Sequence, residues 1–277
     1  MGALFMCVFY GLVLGFSIFS PVSASAHQAL FPMLLKFDSY RPLLSLMTHL
    51  GALGALLLLY WKRISHLYQQ MQLVALPPKR RKRPPDMEAV LDARLILTAA
   101  VPALIGAFLS AFASKLSVGL LPLALLLIAG GVAIYVPDYV PGGNRKAGLM
   151  SPMEGFFLGL YAGCSVISGI SAIGLILAVG LLRKCDRSYI LDIGLILIGV
   201  MLSGMLVVDL VRILLSGLAG FSLQYVLGCL LAGAAAFGGG IGAILTMRFL
   251  AVKTGFSGFA FYSWGLGLFS FILYLMV

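Results

Sequence analysis

The sequence predicts an all-α, polytopic integral membrane protein with inverted repeats and two re-entrant helix pairs. Of its 277 residues, 61% are hydrophobic and only 10% are charged, and the mean hydropathy is +1.08. A chain of this composition has too few polar groups to cover a water-facing surface, and its apolar runs approach the roughly 20 residues that span a bilayer. Two further observations, an internal repeat and a basic cluster, define the expected halves and their orientation.

The internal repeat is seen when the sequence is shifted by 148 positions. The matched pairs are Phe9/Phe157, Gly11/Gly159, Leu12/Leu160, Gly15/Gly163, Ser17/Ser165, Ser20/Ser168, Ser23/Ser171, Ala24/Ala172, Lys36/Lys184 and Asp38/Asp186. Small and polar residues dominate, so shared hydrophobicity does not explain the matches. Such duplication is typical of two equivalent halves that meet at one central site. We therefore expect a single membrane domain over 1–277, with repeat one at about 1–140 and repeat two at about 145–277.

Hydrophobic runs predict the helices in order along the chain. They lie at about 3–20, 43–61, 95–113, 118–136, 152–167, 189–214, 220–248 and 256–277. Two interrupted segments, 20–27 and 165–172, are each followed by a short apolar piece, to Leu35 and Leu182 respectively. They predict the turns of re-entrant helix pairs, because irregular backbone at membrane depth needs protein or water to satisfy its amides. An odd number of membrane spans between the two repeats would give them opposite orientations in the membrane. The two turns are then expected to lie face to face.

Basic residues cluster in or beside a predicted loop at about 62–93. They are Lys62, Arg63, Lys79, Arg80, Arg81, Lys82, Arg83 and Arg94, diluted by Asp86, Glu88 and Asp92. Short loops rich in Lys and Arg stay on the cytoplasmic side, so this loop predicts the orientation. Nucleic-acid binding by the run 79–83 is the weaker alternative, because a basic cluster beside a membrane already interacts with anionic lipids. We expect no nucleic-acid partner.

The N-terminal segment has a competing interpretation. Residues 3–20, followed by Ser23-Ala24-Ser25-Ala26, resemble a secretory signal with an A-x-A cleavage site. However, the first residues contain no Lys or Arg, and cleavage after Ala26 would remove half of the repeat. We therefore expect the segment to be retained.

The sequence of the first predicted turn also resembles a signature of a known protein family. The run 11–27, GLVLGFSIFSPVSASAH, is similar to the first signature of the undecaprenyl-diphosphatase (bacitracin resistance) family, E-G-x-x-E-F-x-P-V-S-S-T-G-H. The segment 168–174, SGISAIG, takes the place of that family's P-G-x-S-R-S-G, and 49–63 resembles its Q-L-G segment and W-R-R exit. With the similarity of 259–262, FAFY, to the last helix, the resemblance covers essentially the whole chain.

This resemblance implies a bacterial inner-membrane enzyme that removes a phosphate from a C55 polyprenyl diphosphate at the periplasmic face. The family's chemistry uses a serine and a histidine of the first signature, the arginine of the second, and two glutamates associated with a divalent cation. In this chain, the glutamate positions are Leu14 and Ile18, the serine position is Ala24 and the arginine position is Ala172. The chemical groups themselves are lost, so we expect no metal at these positions and no cofactor.

The polar residues of the turns remain as candidates. Ser23 and His27 are the candidate catalytic residues if the protein is active. The candidate substrate-binding residues are Ser23, Ser25, His27, His49, Ser168, Gly169 and Ser171. An imidazole at membrane depth is costly unless it is used or paired, which favours a function for His27, whereas membrane serines usually pack between helices. For His49 both interpretations stay open.

Three functions are compatible with these residues. The leading hypothesis is a catalytically degenerate carrier or transporter that binds polyprenyl phosphate or a related lipid between the repeats. The alternative is an active undecaprenyl-diphosphate phosphatase with a rearranged active site, in which Ser23 or Ser25 supplies the hydroxyl. A further alternative is a small-solute transporter coupled to Asp192 or Asp209, although Asp209 and Arg212, three apart on a helix, also predict a structural ion pair. With His27 and His49 as its only titratable groups, the site suits a singly charged or neutral headgroup.

Overall fold

The computed structural model describes residues 2–35, 41–81, 83–112, 119–216 and 222–276. Within these residues it has ten α-helices and no β-strand, which confirms the predicted all-α class. The helices are α1 (Gly2–Ile18), α2 (Ala24–Leu35), α3 (Pro42–Ala75), α4 (Met87–Leu109), α5 (Leu120–Asp138), α6 (Pro152–Gly163), α7 (Ala172–Leu182), α8 (Arg187–Ser216), α9 (Leu223–Lys253) and α10 (Gly258–Met276). Lys36, Asp38, Lys82 and the predicted helix ends at 113, 118, 220 and 277 lie outside the described residues.

Six of the described helices are long and apolar enough to span a membrane: α3, α4 with the short turn to Phe112, α5, α8, α9 and α10. With the apolar composition, they make this a multi-pass membrane protein. The other four helices are shorter, at 17 and 12 residues for α1 and α2 and 12 and 11 residues for α6 and α7. They are joined pairwise by turns, and their re-entrant placement in a bilayer stays a prediction.

The long helix α3 corrects the predicted basic loop. We expected the helix to end at 61 and the loop to cover about 62–93, whereas α3 continues to Ala75 and α4 begins at Met87. No Gly or Pro lies between Gly54 and Pro77, so the helix extends beyond its apolar part. Asp86 then begins α4, because its side chain accepts hydrogen bonds from the backbone of Glu88 and Ala89 at 3.1 and 3.2 Å. The connection is therefore 76–86.

One end of the helix bundle, which we call the basic end, contains four connections. They are 76–86, 139–151, 183–186 and 254–257. Ion pairs join them: Lys146 to Glu88 at 2.8 Å and Arg187 to Asp138 at 3.2 Å. Because α4 and α8 begin there and run away from it, Ser110 and Arg212 lie toward the opposite end of the bundle.

Glycines allow the short helices to contact the long ones closely. Gly11 of α1 faces the backbone carbonyl of Ala232 on α9, and Gly159 of α6 faces that of Ala99 on α4. A Cβ atom at either glycine would overlap the carbonyl oxygen. Small residues let membrane helices approach in this way. The contacts hold the turns that end α1 and α6 in the interior of the bundle, where Phe19 is fully buried.

Candidate functional site

The turn between α1 and α2 contacts the turn between α6 and α7, as the sequence predicts. Ser23 begins α2, and its Oγ accepts a hydrogen bond from the backbone N–H of Ala26 at 3.1 Å. The same oxygen accepts from the N–H of Gly169, in the other turn, at 3.1 Å. Gly169 has a φ of 101°, which favours glycine. Ser23 therefore caps its own helix and connects it to the opposite turn.

Ser171 makes the corresponding connection from the second turn. It begins α7, and its Oγ accepts a hydrogen bond from the backbone N–H of Gly174 at 3.1 Å. It also donates to the backbone carbonyl of Ser20 in the first turn, at 3.2 Å. Both N-cap serines thus stabilise the contact between the turns, which accounts for hydroxyls at these two matched positions.

Ser25 completes the hydrogen bonding of Ser23. Its hydroxyl points at the carbonyls of Ser165 and Ile167, at 3.0 and 3.2 Å, and donates to them. Ser25 Oγ therefore accepts from Ser23 Oγ, 3.1 Å away. The Ser23 hydroxyl then accepts two hydrogen bonds and donates one, and its proton points to another serine rather than to a base.

His27 is buried on α2 and hydrogen-bonded through both ring nitrogens. Its Nδ1 lies 3.1 Å from Ser17 Oγ, which donates its own proton to the carbonyl of Val13 at 2.7 Å. Ser17 therefore accepts from Nδ1–H, and Nε2 accepts from the hydroxyl of Tyr262 at 2.6 Å. The imidazole is paired, which offsets the cost of its burial.

A cavity of about 900 Å³, including its open mouth, lies beside the two turns. Its wall includes Ser25, Ser165, Ser168 and Ser171 from the turn regions, Ser45 and His49 from α3, Ser110 after α4, and Asp209 and Arg212 from α8. Aliphatic residues and methionines form much of the remaining wall. The cavity is thus apolar in part, with hydroxyl groups and charges at defined positions, as is typical of ligand sites.

A histidine and an aspartate form a pair in this wall. His49 Nδ1 lies 2.7 Å from Asp209 Oδ2, and Ser45 Oγ donates to the same carboxylate oxygen at 3.0 Å. The Asp209 side chain is only 3% exposed, and that of His49 is 15% exposed. A buried carboxylate needs such donors to offset the loss of water.

Arg212 supplies a cation to the cavity. Its Nη1 lies 3.9 Å from Asp209 Oδ1, which confirms the predicted ion pair between residues three apart. Its Nη2 donates to the backbone carbonyl of Ser110 at 2.5 Å. Since a guanidinium has five N–H donors, several remain for a ligand. The expectation that the histidines would be the only titratable groups at the site is therefore wrong.

The structure brings together some of the predicted site residues and separates others. The cavity wall contains Ser25, His49, Ser168 and Ser171, together with Leu14, Ile18, Ala24 and Ala172 at the positions that resemble the family's catalytic ones. Ser23 and Gly169 instead line a second, mainly aliphatic pocket of about 680 Å³, and His27 lies behind the cavity wall. The catalytic roles assigned to Ser23 and His27 stay predictions.

The sequence indicated Asp209 only as a coupling carboxylate of a small-solute transporter and Arg212 only as its ion-pair partner, so neither was expected in this cavity. Their spacing indicated an ion pair, but nothing in the sequence placed α8 beside the turns or beside His49. Asp192, the other aspartate named for a small-solute transporter, lies near the basic end, where it accepts a hydrogen bond from Tyr60 at 2.5 Å and pairs with Arg63. Asp192 is thus separate from the cavity.

The two positions that correspond to the family's metal-associated glutamates provide no ligand for a divalent cation. Leu14 and Ile18 present aliphatic side chains to the cavity, whereas Mg²⁺ and Ca²⁺ bind oxygen ligands. Among the described residues, no group of three or more His, Cys, Asp or Glu side chains is arranged to hold a metal ion. We therefore assign no step to a metal at these positions.

Comparison with known proteins decides the family. A family model described as bacitracin resistance protein BacA matches residues 7–269. The chain belongs to the BacA family. Two relatives match the chain over nearly its full length at low identity. The chain is 24% identical to an undecaprenyl-diphosphatase of Halothermothrix orenii over 272 residues, 98% of each chain. It is 27% identical to that of Desulforapulum autotrophicum over 276 residues, 97% of this chain and 98% of the relative.

A third relative has higher identity over a shorter stretch. The chain is 32% identical to the undecaprenyl-diphosphatase of Sinorhizobium medicae over 181 residues, which cover 64% of this chain and 63% of the relative.

Proposed function

We propose that this BacA-family protein is a polyprenyl-diphosphate phosphatase with a rearranged active site in the cavity beside the two turns. The substrate is an undecaprenyl-diphosphate-type lipid, whose diphosphate occupies the cavity while its hydrocarbon chain stays in the membrane. The reaction is hydrolysis of the terminal phosphate. The names of the full-length relatives support this reaction over lipid transport.

The observation that carries the proposal is the presence of Arg212 and the His49–Asp209 pair in one cavity wall. A diphosphate brings several negative charges into a partly apolar site, which is unfavourable without a cation. Arg212 provides that cation in a planar form suited to phosphate oxygens. In this proposal Arg212 compensates for Ala172, which has only a methyl group at the position where the family signature has arginine.

The hydroxyl groups of the wall provide the remaining polar contacts. Ser168 and Ser171 come from the second turn and Ser25 from α2, and all three line the cavity. We assign the headgroup contact to Ser168, because hydroxyls donate hydrogen bonds to phosphate without adding charge. Ser25 and Ser171 already donate to backbone carbonyls and shape the wall instead. Ser23 does not line this cavity, but it stabilises the wall through its hydrogen bonds to Ser25 and Gly169.

We place the basic end at the cytoplasmic face of a bacterial inner membrane. The connection 76–86 contains the densest basic run of the chain, and such connections stay cytoplasmic. The cavity then opens toward the periplasmic side, since Ser110 and Arg212 lie toward the end opposite to the basic one.

The test is phosphate release from a C55 polyprenyl diphosphate by the purified protein in detergent, with and without added divalent cations. We expect release of one phosphate per lipid, with the monophosphate as the other product. Arg212→Gln should lower kcat/KM by about 10²- to 10³-fold, the usual effect of removing one electrostatic stabiliser of a phosphoryl group.

Arg94→Gln is the matched control, because Arg94 is exposed on α4 and does not line the cavity. It should release phosphate at the native rate. Absence of release from the native protein, together with saturable binding of polyprenyl phosphate, would contradict the proposal and support the carrier hypothesis. Equal loss in both arginine variants would mean that Arg212 has no specific role.

A further inference from the structure

We propose that His49, oriented by Asp209, is the catalytic residue that transfers the proton in this cavity. The inference rests on the proposed phosphatase function and deepens it. It assigns the acid-base role to a histidine of α3 rather than to His27 of the first turn. The assignment depends on which nitrogen of each imidazole is still available.

Asp209 fixes the tautomer of His49. Its carboxylate can only accept a hydrogen bond when ionised, so the contact of 2.7 Å requires that His49 Nδ1 carry the hydrogen. Ser45 donates to the same oxygen, at 3.0 Å, and holds the carboxylate in place. Neutral His49 then has its lone pair on Nε2, on the ring edge away from Asp209. A carboxylate that orients an imidazole in this way also stabilises the imidazolium formed when Nε2 takes a proton.

Nε2 of His49 is available to a substrate. Across the described ranges, the hydrogen bonds of this imidazole are made by Nδ1, to Asp209 and to Ser45 at 3.5 Å, and none is made by Nε2. His49 lines the cavity, and its side chain is 15% exposed. Arg212 contacts the same Asp209 side chain. A phosphate bound by Arg212 is therefore brought next to the imidazole.

His27 differs in this respect. Its Nδ1 hydrogen is donated to Ser17 and its Nε2 lone pair accepts from Tyr262, so both nitrogens are already used. To act as a base, His27 would have to break its bond of 2.6 Å to Tyr262. His49 needs no such rearrangement.

The step is a hydrolysis in which water is the co-reactant. His49 Nε2 accepts a proton from water as the water oxygen forms a bond to the terminal phosphorus. The bond between that phosphorus and the bridging oxygen breaks, and its electron pair leaves with the polyprenyl monophosphate. The imidazolium returns its proton to a phosphate oxygen, so the products are inorganic phosphate and the monophosphate. Arg212 offsets the charge on the transferred group.

The three histidines of the chain allow a matched test. We would compare His49→Gln, His27→Gln and His66→Gln for steady-state release of phosphate from C55 polyprenyl diphosphate. Glutamine at 49 can still donate to Asp209 but cannot take a proton. We expect kcat to fall by about 10²- to 10⁴-fold in H49Q, the usual contribution of a positioned acid-base group, with KM changed less than threefold. His66, which pairs with Asp86 at 3.1 Å on the basic side, is the control and should keep native kcat.

Asp209→Asn provides a second measurement if H49Q proves unstable. As a positioning residue, Asp209 should affect kcat more than KM, because its loss frees the imidazole to adopt the wrong tautomer. Native activity that survives in H49Q or D209N but is lost in H27Q would overturn the assignment to His49 and leave the proposed function intact. No phosphate release by the native protein would instead overturn the proposed function, and the assignment with it.

Discussion

The first half of the chain, α1–α5, and the second half, α6–α10, follow the same order of two short helices and three long ones. Their contacts also correspond. Gly11 of α1 packs on a carbonyl of α9, which is the fourth helix of the second half. Gly159 of α6 packs on a carbonyl of α4, the fourth helix of the first half. The first short helix of each half therefore packs on the fourth helix of the other half.

The polar side chains do not follow this correspondence. In the repeat register, His27 is matched by Leu175, and Ser25 by Ile173. The cavity residues His49 and Arg212 come from the third helix of each half but form a single asymmetric cluster. Backbone packing and N-capping thus correspond between the halves, whereas the polar groups of the cavity do not. The repeat itself remains a prediction, which variants in both halves can test.

The largest effect is expected at the glycines that face carbonyl oxygens. We predict that Gly11→Ala and Gly159→Ala each destabilise the protein by roughly 3 kcal/mol, because the added Cβ forces two packed helices apart. Thermal unfolding in detergent would measure both. Similar losses would support an equivalent role in the two halves, whereas tolerance at one position would show that only one interface depends on glycine.

Gly238→Ala on α9 is the control for these variants. A Cβ at Gly238 meets nothing within 4 Å. Alanine has a higher helix propensity than glycine by about 1 kcal/mol, so this variant should be neutral or slightly stabilised. A large loss of stability in G238A would mean that any glycine substitution destabilises the protein, whether or not the added Cβ meets a neighbouring helix.

Alanine substitutions of the two N-cap serines should destabilise the protein to different extents. Ser23→Ala leaves the N–H groups of Ala26 and Gly169 without their hydroxyl acceptor, and Ser23 is only 2% exposed. We expect a loss of about 2–3 kcal/mol, since buried unsatisfied N–H groups are costly. Ser171→Ala removes one cap acceptor and one donated bond, and about 1–2 kcal/mol is expected. A lower unfolding temperature for S171A than for S23A would contradict the hydrogen-bond assignment.

A smaller, pH-dependent effect is expected at the start of α6. Arg145 donates to both oxygens of Glu154, at 2.6 and 3.0 Å, and this holds the pKa of the carboxyl at about 2 instead of 4.5. Because the pKa of Glu154 is lower in the folded protein, the ionised carboxylate stabilises the folded state at pH values above about 4.5. This stabilisation is lost as the pH falls from about 4.5 toward 2. Glu154→Gln should cost roughly 1 kcal/mol at pH 7, since solvent screens the pair, and less at pH 2.5, as measured by thermal unfolding.

Glu88→Gln provides the comparison for that ion pair. Glu88 and Lys146 form a contact of 2.8 Å with side chains that are 63% and 51% exposed. Exposed pairs contribute about 0–1 kcal/mol, so this variant should change stability by less than about 0.5 kcal/mol at either pH. An effect as large as that of E154Q would show a general response of the basic end to lost charge.

The site could be anticipated only in part. Ser25, Ser168 and Ser171 lie in the segments whose repeat and interrupted hydrophobicity predict the turns, and they do line the cavity. Asp209 and Arg212 lie inside a continuous apolar helix, where their spacing predicts no more than a mutual ion pair. His27 is the most prominent polar residue of the first turn in the sequence, yet Ser17 and Tyr262 occupy both of its nitrogens.

Hydrophobic length predicts the membrane class and most of the helices, and the repeat of small residues predicts the contact between the two turns, because these patterns are visible in the sequence. Which polar groups share a cavity depends instead on how distant helices pack. His49 and Asp209 are separated by 160 positions in the chain and by 2.7 Å in space. Such a pairing depends on the packing of α3 against α8, and one sequence contains no local signal for that packing.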